Sequence, residues 1–477
     1  MNQHNFSRRN FLGSMLTMAG GSAAPFALNL AAMGSAAAEN ATDYKAIVCL
    51  FMNGGNDHFN MVLSTDPASW SEYQRIRTTS DSGTINLAPI GSTGGVLPIT
   101  PTNAAAGRSF ALHPQLGPLK DLFDGGRAAI IANVGTLFEP TTLAQYKARS
   151  VQLPPKLFSH NDQQSMWQSS QPEGATFGWG GRMGDMMAAA NTNASFTSIS
   201  ASGNAVFLTG RDVRQYQINS AGAVPIRNLS GALFGAPAAA NPLQAIVSGT
   251  SSDPFEKEHA AVVSRAIAAQ SILNSAMVAA GAAGVPDPTP FVNPVNGQSS
   301  TNSLAVQLQT VARIIAGRGT LGMKRQVFYV TLGGFDTHDF QKSVHADLMA
   351  RLAHALAYFD GALASLQGAD VRRQVTLFTA SDFGRSFTSN GDGTDHGWGS
   401  HHFVLGGAVK GNAIYGSVPD TGLGHALDVG SGSLLPTTSV DQYGATLASW
   451  FGLSNSQLGD VFPHIGNFSL RNLGFMG

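Results

Sequence analysis

Asp336 and His338 stand two positions apart in Gly333-Gly334-Phe335-Asp336-Thr337-His338, directly after the apolar run Gln326 to Leu332. A carboxylate and an imidazole at that spacing, just past a strand rather than within one, serve little structural purpose and read as a metal-ligand pair. Two more apolar runs end in the same manner. Ala46 to Met52 leads into Asn53-Gly54-Gly55-Asn56-Asp57-His58, and Gln374 to Ala380 leads into Ser381-Asp382-Phe383-Gly384-Arg385. A fourth cluster, Asn390 to His402, gathers Asp392, Asp395, His396, His401 and His402 around several glycines, which let the backbone turn sharply. Imidazole and carboxylate groups converging at strand ends suit a hard or borderline divalent ion, or acid-base chemistry.

Each candidate also has a simpler reading. Asp57 is a metal-ligand candidate, and it could equally cap a helix starting near His58. Asp382 could ligate or could pair with Arg385, whose guanidinium could instead grip a substrate anion in bidentate fashion. Asn53 and Asn56 are further candidate substrate contacts. His401 and His402 point to opposite faces if extended, so His401, at the loop's end, joins Asp395 and His396 as the preferred ligand. In Phe158-Ser159-His160-Asn161-Asp162, a loop enters a helix. Ser159 there is either the N-cap or a nucleophile facing the positive end of the helix dipole, with His160 a ligand or base.

These segments need a scaffold that brings strand ends together. Five short runs, Ala46 to Met52, Ala128 to Val134, Gln326 to Leu332, Gln374 to Ala380 and His402 to Leu405, read as strands of a parallel sheet buried on both faces. Helical patterns lie at Ser303 to Ala316, His345 to Leu366 and Gln442 to Phe451. The expectation is a three-layer α/β sandwich with a central, mostly parallel sheet, whose ligands collect beyond the carboxyl ends of the strands. Residues 188–301, crowded with small and polar residues and carrying one clear helix from Pro254 to Ala280, read as an insertion or cap within a single domain, 39–477.

The chain opens with Ser7-Arg8-Arg9-Asn10-Phe11-Leu12 before a weakly apolar stretch that ends in Ala36-Ala37-Ala38. That is the layout of a twin-arginine signal peptide, 1–38, addressed to the Tat translocase and the periplasm or exterior. No later segment reads as a transmembrane helix. The net charge of −1, which loses two positive charges with Arg8 and Arg9, and the lack of a basic tract argue against a nucleic-acid partner. Cys49 is the only cysteine. It lies in an apolar run and reads as core, which rules out an intrachain disulfide and a thiolate metal cluster. No dinucleotide glycine fingerprint or haem motif points to redox chemistry.

The motifs F-M-N-G-G-N-D at 51–57, S-H-N-D-Q-Q-S-M-W at 159–167, L-G-G-F-D-T-H at 332–338, D-F-G-R-S at 382–386, G-T-D-H-G at 393–397 and P-T-T-S-V-D-Q-Y-G-A-T-L-A at 436–448 resemble a family of Tat-exported bacterial proteins, domain of unknown function 1501, grouped with the alkaline phosphatase and sulfatase superfamily. The resemblance implies a first metal ligand at Asp57 or Asn53, a nucleophile at Ser159, the pair Asp336 and His338, a strand-end acid at Asp382, and a last ligand at His396 or His401. Phe383 stands where the alkaline phosphatases carry histidine, so one ion is implied as readily as two. The resulting expectation is a metal-assisted hydrolase of phosphate or sulfate esters, using zinc, manganese or calcium, in which Ser159 or water attacks and Arg385 holds the anion. The alternative is a non-enzymatic exported protein that binds an envelope glycan, another envelope polymer or a partner protein through the same residues.

Overall fold

The computed structural model describes residues 41–78, 84–226, 251–282 and 284–477, with part of 228–249, so the signal-peptide reading of 1–38 lies outside the described residues. The main sheet is built from Lys45–Asn53 (β1), Ala128–Gly135 (β2), Ser198–Ser200 (β3), Tyr216–Asn219 (β4), Gly222–Ala223 (β5), Arg325–Gly333 (β6), Val375–Ser381 (β7), Ser400–Leu405 (β8), Ile414–Tyr415 (β9) and Thr438–Ser439 (β10). Its order is β9-β2-β8-β7-β1-β6-β3-β4-β5, with β10 beside β2. At the centre, β7, β1 and β6 are parallel, with Asn53 opposite Gly333 and Met52 opposite Ser381. Three strand ends that carry acidic motifs therefore finish side by side.

Alternate residues of β1 enter opposite cores, which is why its sequence is continuously apolar. Ala46, Val48, Leu50 and Met52 pack with Phe328 and Val330 against two helices, Ser303–Ala316 and Gln341–Ala364. Ile47, Cys49 and Phe51 face the other way, toward Trp179 and Met183 of Trp179–Met187 and Tyr443 and Leu447 of Val440–Phe451. The result is the expected three-layer α/β sandwich, with Cys49 in the core, where burial pushes its thiol well above the ordinary range. Each fully buried Phe or Leu on these faces contributes roughly 1.5–3 kcal/mol of transfer free energy.

Two features depart from the sequence reading. Strand β8, expected to be parallel, pairs antiparallel with both β7 and β2. The cause is local: a parallel return needs a crossover, usually helical, and no helix lies between Ser381 and Ser400. The chain instead folds back through a short hairpin, Arg385–Ser389 with Thr394–His396, in which Arg385 sits opposite His396. The second feature is that the range read as an insertion adds β3, β4 and β5 to the edge of the sheet, β3 pairing parallel with β6. Its long helix runs Pro254–Ala276, ending before the expected Ala280, with only Leu273 and Ala276 buried. Among the described residues no helix is long and apolar enough to cross a membrane.

Candidate metal centre

Three elements converge on Asp336. It follows β6, where the chain leaves the sheet so close to β1 that any side chain on Gly54 would meet Asp336 N at 2.3 Å. Gly54 also has a φ of +116°, a conformation that glycine adopts at little cost. The short hairpin brings in Arg385 and His396. The helix His160–Ser169 brings in His160 at its first position.

Asp336 Oδ1 accepts from Arg385 Nη1 at 2.7 Å and lies 3.0 Å from His338 Nε2 and 3.2 Å from His396 Nε2; its Oδ2 lies 3.4 Å from His160 Nε2. His338 Nε2 and His396 Nε2 approach within 3.0 Å of each other. Among the described residues, His160, Asp336 and His396 form the group whose ligand atoms all lie within 4.8 Å of one another. Burial acts to raise the Asp336 carboxyl, but the hydrogen bond and charge of Arg385 outweigh it and hold the group below its ordinary value.

The outer nitrogens of two imidazoles settle which atoms face the centre. His396 Nδ1 lies 2.7 Å from the carbonyl of Phe158, so it carries the proton and leaves a lone pair on Nε2. Phe158 holds a φ of 71°, an uncommon conformation for an aromatic residue. His160 Nδ1 lies 2.6 Å from Asp382 Oδ2, leaving Nε2 toward Asp336. A histidine whose far nitrogen is held by a carboxylate or carbonyl is the arrangement that orients metal ligands. The donor set of the His160, Asp336 and His396 group, two imidazoles and one carboxylate, fits a zinc-type ion with one open position and is unlike the all-oxygen shells that calcium takes, and His338 lies beside it. The hydrogen bond to Asp382, opposed by burial, raises the His160 imidazole above its ordinary value. Burial, partly offset by the Phe158 carbonyl, lowers His396.

Other sequence candidates have different partners. Asp382, read as a ligand, has both oxygens occupied: Oδ1 accepts from Gly54 N at 3.1 Å, and Oδ2 faces His160 and accepts from Gln164 Nε2 at 2.8 Å. It stands behind His160. Asp57, also read as a ligand, is fully buried in an ion pair with Arg77, at 2.5 and 3.0 Å, and caps the turn at Phe59 N. Arg385 pairs with Asp336 rather than Asp382. Its guanidinium, fully buried, is occupied by Asp336, Gly54 O, Thr394 Oγ1 and Thr394 O, which leaves no fork for a substrate anion. Asn56 is buried against His345 and Met61, and Asn53 reaches this region through its carbonyl, which accepts from Phe335 N. Asp395 is exposed, accepts from Asn390, and lies 3.5 Å from His338 Nδ1.

His401 is core: Nδ1 accepts from Asn133 N at 3.0 Å, and its ring packs edge-on to His58. Ser159 occupies the N-cap position without capping; its hydroxyl donates to Asp162 Oδ2 at 3.0 Å, while its neighbours Phe158 and His160 both touch the cluster. The sequence reading missed Gln164, Arg77, Thr394 and Gln341. Gln164 was accessible, since it lies four residues after His160 on one helix face. Arg77 offered no local signal.

A family model described as protein of unknown function, DUF1501, matches residues 44–454. The chain belongs to that family. A search of curated proteins finds no match. Among solved structures, the chain is similar to Ps i-CgsB in complex with k-i-k-neocarrahexaose (8% identity, TM-score 0.35, covering 87% of this chain and 74% of that one). It is also similar to the PsFucS1 sulfatase from Pseudoalteromonas sp. (7% identity, TM-score 0.34, 91% and 72%). A third is the soluble domain of lipooligosaccharide phosphoethanolamine transferase A from Neisseria meningitidis (10% identity, TM-score 0.33, 89% and 93%).

The buried imidazoles dictate a pH dependence. Burial lowers His345 and His401 to about 4 and His402 to about 3, against an ordinary 6.5. Because the unfolded chain binds protons first as pH falls, stability is complete above about 6.5 and is lost toward 4, on the order of 3 kcal/mol for each such group. Urea denaturation in chelator should therefore show steeply falling stability between pH 7 and 4.5. A flat profile would show that these rings are not buried neutral.

Proposed function

We propose that this protein is an exported, zinc-assisted hydrolase of phosphate or sulfate esters, with the ion held by Asp336, His160 and His396, which leaves a fourth position open, and with His338 lying beside them. The observation that carries the reading is the pair of imidazoles whose Nδ1 atoms are fixed by Asp382 and by the Phe158 carbonyl, which turns both Nε2 atoms toward Asp336. The motif resemblance supplies the substrate class. A bound zinc ion would supply Lewis-acid polarisation of the ester oxygens and offset their charge. Asp382, braced by Gly54 N and Gln164, fixes the tautomer and direction of His160. Ser159 is the nucleophile, and its hydroxyl hydrogen already points to the buried Asp162 carboxylate, leaving the oxygen lone pairs free. Arg385 acts on Asp336 and not on the anion.

That occupied guanidinium favours a second reading, in which the centre binds an envelope glycan or a partner protein without turnover. Elemental analysis of the native protein, with phosphatase, phosphodiesterase and sulfatase assays, separates the two. The hydrolase reading expects about one zinc per chain and an activity that Asp336→Ala lowers by roughly 100-fold or more. Zinc without activity on any ester leaves the binding role, and absence of metal together with absence of activity removes the hydrolase.

Export through the twin-arginine route is proposed from Ser7-Arg8-Arg9-Asn10-Phe11-Leu12. Fractionation of cells expressing Arg8→Lys/Arg9→Lys should leave the full-length chain in the cytoplasm, while the native chain reaches the periplasm. Equal periplasmic yield would exclude this route.

A further inference from the structure

Gln341 is fully buried at the first position of the helix Gln341–Ala364, and its side-chain hydrogen bonds go to residues other than the proposed metal ligands. It nevertheless sits at the junction of a continuous polar chain that ends on one of them. Its Nε2 donates to Asp57 Oδ2 at 2.6 Å, and its Oε1 accepts from Thr337 Oγ1 at 3.0 Å and from Thr394 Oγ1 at 2.6 Å. Thr394 Oγ1 in turn accepts from Arg385 Nε at 2.9 Å, and Arg385 Nη1 donates to Asp336 Oδ1 at 2.7 Å. At the far end, Arg77 holds Asp57 and is itself anchored on the carbonyls of Phe387 and Ser386, each at 3.1 Å.

The proton positions along this chain follow from chemistry alone. An ionised carboxylate only accepts, so the amide nitrogen of Gln341 must face Asp57 and its oxygen must face the two threonines. With its hydrogen directed at Gln341, the Thr394 hydroxyl has only lone pairs left for Arg385 Nε. Glutamine thus converts an acceptor at Asp57 into an acceptor for two hydroxyls, which neither an ionised glutamate nor an apolar residue of that size can do. Inside a dry core, fully satisfied networks of this kind are rigid, and each broken link strands a buried polar group.

We infer that Gln341 is a positioning residue for the metal centre, fixing Thr394 and thereby the Arg385 guanidinium that holds Asp336 toward the three imidazoles. The inference rests on the zinc-centre reading above and gives the N-G-G-N-D acid Asp57 a role as anchor of that chain rather than as ligand.

The test uses full-length native protein stripped with chelator and titrated with zinc against a chromophoric competitor, alongside Gln341→Met, Thr394→Val and the double variant. Each single substitution should weaken zinc binding by about 10- to 100-fold, the range seen for residues that orient metal ligands. The double variant should be no weaker than the worse single one, because both cut one chain. Thermal melting in chelator reports the purely structural effect, and Thr394→Val carries the test alone if Gln341→Met fails to fold. Zinc affinities equal to that of the native protein, or losses that simply multiply in the double variant, overturn the inference while leaving the zinc centre standing. A native protein that binds no zinc overturns both.

Discussion

Everything at this site depends on a single carboxylate being held ionised and in place among groups that could each orient elsewhere. Asp336 is partly exposed, and the Nε2 atoms of three imidazoles lie within 3.0 to 3.4 Å of its oxygens. The buried Arg385 supplies the counter-charge that, against burial, holds the carboxyl below its ordinary value. The guanidinium is usable for this because the hairpin places it opposite His396 and wraps it with Thr394 and the Gly54 carbonyl. A buried, unpaired arginine would be costly; paired with Asp336 and hydrogen-bonded through all three of its nitrogens, it becomes a fixed positive wall.

From that constraint follows a division of labour between residues that face the centre and residues that hold them. His160, His338, His396 and Asp336 face it. Asp382, Gln164, the Phe158 carbonyl and Gly54 N hold them from behind, and Gln341 and Thr394 hold Arg385. Two acids from strand ends, Asp57 and Asp382, are thereby excluded from direct contact although they arise at the same edge of the sheet as Asp336. The exclusion is electrostatic as well as steric: with two of the three carboxylates tied to other donors, Asp336 is the one left open on the solvent side.

The sheet was legible because residues buried on both faces must be continuously apolar, and β1, β2, β6 and β7 all fall within one residue of their expected bounds. Strand β3, Ser-Ile-Ser, has too little apolar character to be read, and the direction of β8 depends on the absence of a crossover helix rather than on its own residues. At the site, residue type together with position after a strand, in a glycine-rich loop or at a helix start singled out Asp336, His338, His396 and His160, which the structure brings together. Those signals could not separate residues that face the cluster from residues that stand behind it, since Asp382 and Asp57 carry the same local signature as Asp336. What decides between them is the identity of long-range partners: Arg77 for Asp57, Gly54 N and His160 for Asp382. His401 misled for a related reason, because its position in β8 points it at Asn133 N inside the sheet rather than at the loop that precedes it.

The most direct measurement of the central claim is a crystal structure of zinc-loaded protein with anomalous difference maps on either side of the zinc absorption edge. An edge-specific peak is expected bonded to Asp336 and to the Nε2 atoms of His160 and His396, with Asp382 still on His160 Nδ1 and the Phe158 carbonyl still on His396 Nδ1. A peak on Asp57, His401 or Asp382, or none within bonding distance of Asp336, would contradict the claim.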